Sequence, residues 1–195
     1  TVEKAVKLRE SGLYNLIIGI YSPDPAEHDR VRGVEGAHAK AVEAIKMALE
    51  AGLMVTMSCH VKAGQVEKIP ELYQFATELG VQELSIWEGI PKTPEEQLTQ
   101  LEREKIIDIY RKVNSTLEGP RIFASTYFEG QMLGCMAGRR WLHIGVDGMV
   151  RACPYLEKSY GNILESPLKD IWKDIRKSGE FEGFVCSCPA QNIYT

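Results

Sequence analysis

The sequence predicts an α/β chain in which strand–helix repeats give way to a small hairpin-and-helix region. Three observations carry this. Apolar runs at residues 16–21, 53–61 and 81–87 read as strands, the first continuous enough to be buried on both faces as in a parallel sheet. Amphipathic segments of helical length alternate with these runs, the pattern of repeated βα units. Past Glu118-Gly119-Pro120 the period changes, and Asp147-Gly148 between alternating apolar residues signals a β-hairpin.

Taken in order, residues 2–10 place Val2, Ala5, Val6 and Leu8 at helical spacing before Gly12. The run Leu16-Ile17-Ile18-Gly19-Ile20-Tyr21 ends in Ser22-Pro23-Asp24-Pro25, a loop by turn chemistry. Ala41, Val42, Ile45, Ala48 and Leu49 form the buried stripe of a helix over 37–51, capped by Gly52. Pro70 starts a helix that Gly80 ends, with Leu72, Phe75, Ala76 and Leu79 inward. Thr99 and Glu102 have the spacing of a capping box for a helix burying Ile106, Ile109, Tyr110 and Val113. Three strands are too few to close a barrel, so residues 1–118 read as part of a larger barrel or open sheet. Ligand sites in such sheets lie at the carboxyl ends of the strands, here Tyr21-Ser22, Cys59-His60 and Trp87-Glu88. His28 and Asp29 read as fixing the first loop or capping a helix. Leu168, Ile171, Trp172 and Ile175 line a last helix that starts at Ser166-Pro167 and ends at Gly179, with Trp172 expected in the core.

Composition limits the function classes. At 195 residues, 44% apolar and 26% charged, the chain can bury a sizeable core. A net charge of −4 argues against a nucleic-acid partner, and no apolar run reaches the roughly 20 residues of a membrane span. No signal peptide is evident, which points to a cytoplasmic protein. The chain opens on Thr1 and at once on a helix, the look of a piece whose upstream portion is missing.

Four of the five cysteines fall between Cys135 and Cys188. The hairpin would bring Cys153, at the end of its second strand, near Cys135. A return segment ending in Cys186-Ser187-Cys188 could add two more sulfurs. Four converging thiolates make a metal site, either zinc or an iron–sulfur cluster, and spacing leaves both open.

With these pieces placed, the chain resembles the later two-thirds of a radical S-adenosylmethionine enzyme carrying a SPASM or twitch auxiliary domain. The segment from Ser22 through His28-Asp29-Arg30 to Gly33 is similar to the loop after the family's fourth barrel strand. Cys135 to Cys153 fits C-x(9–15)-G-x4-C with Gly148 as its glycine. Gly161-Asn162-Ile163 through Ile171-Trp172 is close to the family's GNI…IW segment. The resemblance implies the C-terminal part of a partial (β/α)6 TIM-like barrel over 1–118. It further implies a small hairpin-plus-helix cluster-binding domain over 119–195.

It also implies chemistry. Such an intact enzyme cleaves S-adenosylmethionine reductively at a [4Fe–4S] cluster held by C-x3-C-x2-C. The resulting 5′-deoxyadenosyl radical abstracts hydrogen from a peptide or small-molecule substrate. Flavodoxin or ferredoxin would supply electrons. That cysteine motif is absent here, so the chain alone is expected to be inactive. The resemblance assigns one auxiliary [4Fe–4S] cluster to Cys135, Cys153, Cys186 and Cys188. It puts Tyr21 and Ser22 near the cofactor and leaves the catalytic residue unassigned; Cys59, adjacent to His60 on a strand, reads as a small core residue or as a further cofactor contact. Pro154 stands where sulfatase-maturing relatives carry a basic aspartate. The rival reading is a non-catalytic binding module with a structural four-cysteine zinc site on a βα scaffold.

Overall fold

The structure, a computed structural model, describes residues 1–183. The chain divides into two compact units, Thr1–Tyr127 and the part from Phe128 onward. The first unit alternates helices and strands: α1 (Val2–Glu10), β1 (Asn15–Gly19), α2 (Pro25–Arg32), α3 (Ala37–Glu50) and β2 (Met54–Val61). It continues with α4 (Ile69–Leu79), β3 (Glu83–Glu88), α5 (Gln100–Asn114), β4 (Arg121–Ala124) and the single turn α6 (Ser125–Tyr127). The strands form one parallel sheet in the order β1-β2-β3-β4. No helix among the described residues is long and apolar enough to cross a membrane.

The register explains why this sheet is two-sided. Ile18 pairs with Met57, Met57 with Leu84, and Leu84 with Ile122, so these four side chains share a face. Ala5, Ile45, Ala48, Leu72, Ala76 and Ile106 belong to the same buried cluster, which puts the helices on that face. The neighbouring row, Gly19, Ser58, Ser85 and Phe123, lies on the opposite face, as does the pair His60 and Trp87. Near the other end of the strands Asn15 Nδ2 donates to Thr56 Oγ1, and Thr56 Oγ1 donates to Glu83 Oε1. One face is an apolar seam; the other mixes polar groups with Ile17, Trp87 and Phe123.

Two corrections to the first unit follow. The sheet has four strands, because residues 121–124 pair with β3 immediately after the Gly119-Pro120 turn. The compact unit therefore runs to Tyr127, past the expected boundary near 118. Residues 25–32, expected as loop, form α2: Asp24 Oδ1 accepts from the amides of Ala26 and Glu27, with Pro25 in the first turn. The capping box of α5 forms as its spacing requires.

The second unit carries a three-stranded antiparallel sheet, β5 (His143–Ile144), β6 (Met149–Arg151) and β7 (Ser159–Asn162), followed by α7 (Leu168–Lys177). The expected hairpin is present, and β7 is an addition to it. Gly148 has φ +79°, and a Cβ there would meet Asn162 Oδ1 at 2.4 Å. Asn162 Nδ2 donates to the Asp147 carbonyl while its Oδ1 accepts from the Leu164 amide, so Asn162 pins the turn. Gly161, at φ +143°, lets Ile171 of α7 lie against the strand. Val150, Ile171 and Ile175 form the small core, with Trp172 packed on it as expected.

Ile86, fully buried between Cys59 and Ala124 in the register, tests the seam. Ile86→Ala is expected to cost about 2–5 kcal/mol of unfolding free energy in urea titrations. A loss well under 1 kcal/mol would contradict the packing.

Candidate cofactor face and cluster site

The strand ends of the first unit are built by short-range ties. The Tyr21 amide donates to His28 Nδ1 at 3.1 Å. Ser22 Oγ donates to Glu27 Oε2 at 2.7 Å and accepts from the Asp24 amide. Ser22 is 4% exposed, so its hydroxyl is spent on this turn. Glu27 also pairs with Lys68, and the Lys68 bond followed by that of Ser22 holds its carboxyl below the usual range. Asp29 accepts from the amides of Gly36 and His38, capping α3 and lowering its own pKa through those bonds. The expectation that His28 and Asp29 hold the loop and cap a helix is what these bonds show.

The ring of Tyr21 lies 6.1 Å from that of His60, nearly parallel, with the Arg32 guanidinium 5.9 Å from its centroid. At the end of β3, the Glu88 amide donates to Ser125 Oγ at 3.0 Å, joining it to the end of β4. The Glu88 carboxylate meets Arg103 Nε at 3.1 Å. Ser125 and its buried neighbour Thr126 escaped the sequence reading because β4 did. Counting strands by paired helices, with a fourth strand due after α5, would have found them.

Cys59 sits elsewhere. It is 1% exposed, in the seam against the helices, on the face opposite His60. Burial alone pushes its thiol up to about 12. Of its two readings, core residue or cofactor contact, this burial favours the core.

In the second unit Cys135 and Cys153 are free and half-buried. Burial pushes the Cys135 thiol up, and the Ala137 amide opposes that. Charge on Glu129 and Cys153 pushes it further up. Cys153 opens a turn just past β6, its carbonyl accepting from the Leu156 amide. Arg139 Nη1 donates to the carbonyls of Leu133 and Cys135, so it supports the cysteine loop. Cys186 and Cys188 lie outside the described residues. Among the described residues, no three His, Cys, Asp or Glu side chains gather as a metal site.

Residues 135–191 match the SPASM family, described as an iron–sulfur cluster-binding domain. Among curated relatives, the AdoMet-dependent heme synthase of Nitratidesulfovibrio vulgaris is 23% identical over 94% of this chain and 57% of its own length. The PqqA peptide cyclase of Granulibacter bethesdensis is 21% identical over 91% of this chain and 51% of its own. Along most of its length the chain is similar to radical S-adenosylmethionine enzymes, with a SPASM match near its end. SuiB of Streptococcus suis, solved bound to S-adenosylmethionine, superposes with a TM-score of 0.69 at 17% identity over 98% of this chain and 50% of SuiB. Native anSMEcpe with bound AdoMet gives 0.65 at 15% identity over 94% of this chain and 57% of its own. These superpositions give the radical S-adenosylmethionine fold, an α/β architecture with a parallel sheet and a separate small one. The chain spans a little over half the length of the curated relatives first matched.

The burial of Cys59 has a chemical consequence. In the cluster-free folded chain at pH 8, iodoacetamide is expected to alkylate Cys135 and Cys153 well before Cys59, which reacts only after denaturation. Mass mapping of the labelled cysteines checks this. Rapid native labelling of Cys59 would contradict its place in the seam.

Proposed function

We propose that this chain is the later barrel portion and auxiliary-cluster domain of a radical S-adenosylmethionine enzyme that modifies a peptide or a cofactor precursor. The observation carrying the proposal is the pairing of a polar strand-end face with a downstream SPASM segment that contains Cys135 and Cys153. Relatives named AdoMet-dependent heme synthase and PqqA peptide cyclase support these two substrate classes. SuiB solved with its precursor peptide SuiA favours the peptide. The rest of the barrel and C-x3-C-x2-C would come from upstream sequence, and a flavodoxin or ferredoxin would deliver the electron in the cytoplasm.

Cys135 and Cys153, free thiols on either side of the hairpin in the SPASM segment, fit an auxiliary [4Fe–4S] cluster in donor type, with Cys186 and Cys188 as its further ligands. When bound, that cluster supplies one-electron redox chemistry. This chain's own residues do the rest: the Tyr21–Ser22 end of β1 borders the cofactor, held by His28 and Glu27. Arg139 braces the loop carrying Cys135. Cys59 has no ligand role and serves the core.

Cys135→Ala or Cys153→Ala is expected to remove most iron retained by the reconstituted chain, whereas Cys59→Ala leaves it unchanged. The activity is tested with dithionite and S-adenosylmethionine. A polypeptide extended upstream through C-x3-C-x2-C should release 5′-deoxyadenosine and methionine, and the 195-residue chain alone should release neither. No 5′-deoxyadenosine from the extended protein would overturn the reading.

A further inference from the structure

We propose that His28 is a positioning residue that holds the Tyr21–Ser22 turn only while its imidazole is neutral. The proposal rests on the functional reading above in one respect, that this turn borders the cofactor. Three observations carry it. His28 is 1% exposed, and its Nδ1 is the acceptor for the Tyr21 amide at the point where β1 ends. An acceptor Nδ1 carries no proton, so the neutral ring keeps its hydrogen on Nε2. An imidazolium has two N–H donors and no acceptor, and would break the bond.

The surroundings favour the neutral ring. The groups facing His28 are Tyr21 from the turn after β1, His38 from α3, and Asp29 and Arg32 from its own helix. His38 meets it edge-on at 5.4 Å, and His38 Nε2 is buried with no hydrogen-bond partner. Asp29 is the one anion among them, and both its oxygens are already taken by the amides of Gly36 and His38. Burial first, then the charges of His38 and Arg32, push His28 below the ordinary histidine value, with Asp29 opposing.

The sign of the pH effect follows. A depressed native pKa means the unfolded chain binds the proton more readily, so the tie is intact above the ordinary histidine value of about 6.5. It is lost as pH falls through the lower native value. The same three-residue run ties three places: Glu27 holds Ser22 and Lys68, His28 holds the Tyr21 amide, and Asp29 caps α3. Losing the middle bond frees the strand end while the two outer ties keep α2 folded.

The test is hydrogen exchange at the Tyr21 amide of the 195-residue chain, read as protection relative to the intrinsic rate, with 15N NMR of the imidazoles. At neutral pH, Tyr21 is expected to be protected and His28 to show the Nε2–H tautomer. Protection is lost with the midpoint at which His28 titrates, while core amides such as Ile86 stay protected. H28L removes the acceptor and should lose Tyr21 protection at every pH. H28N, whose Oδ1 reaches where Nδ1 was, should restore protection and abolish its pH dependence. Tyr21 protection unchanged through the His28 titration, or equal in H28L, overturns the proposal. If H28L fails to fold, the wild-type titration still decides. A turn that behaves as expected, with S-adenosylmethionine affinity of the extended protein indifferent to H28L, would sink the cofactor assignment and leave the positioning role standing.

Discussion

The parallel register of the first sheet is the constraint on which everything else depends. Pairing Ile18, Met57, Leu84 and Ile122 in one row forces Gly19, Ser58, Ser85 and Phe123 to the other side. Hydrophobic burial under the helices selects the first face, and the polar groups are left to the second. Because all strands run the same way, the second face ends in a single set of loops at the carboxyl ends. That geometry makes a one-sided site available without any special residue having to create it.

On this frame, charge and hydrogen bonding set the loops. The turn after the first strand is tied to α2 through Glu27 and His28, and the next residue, Asp29, caps α3. The third is tied to the fourth by Glu88 and Ser125, with Arg103 neutralising the carboxylate. Buried or half-buried bonds of this kind contribute modestly one by one, and leaving any partner unmatched costs more than making the bond gains. The second unit follows the same economy on a smaller core: Asn162 pins the hairpin turn, and Gly161 admits Ile171.

Much of this was legible in the sequence. Apolar runs marked β1 to β3, glycines and Pro70 bounded the helices, Thr99 with Glu102 fixed the start of α5, and Asp147-Gly148 gave the hairpin. The misses share a cause: short elements carry little periodic signal. Residues 121–124 make a strand because β3 offers an edge, and residues 159–162 because β6 does. Helix α2 had clear punctuation in Asp24, Pro25 and Gly33, yet the two prolines read as loop. For Cys59, alternation on a strand already put it opposite His60, and the register shows that its side is the one under the helices.

The central claim is that the cysteines of the second unit serve an iron–sulfur cluster attached to a radical S-adenosylmethionine scaffold. Iron, acid-labile sulfide and zinc per chain, measured after anaerobic reconstitution, address it most directly. About four irons with about four sulfides per chain is the expected result. About one zinc with no sulfide would contradict it and leave a structural thiolate site in its place.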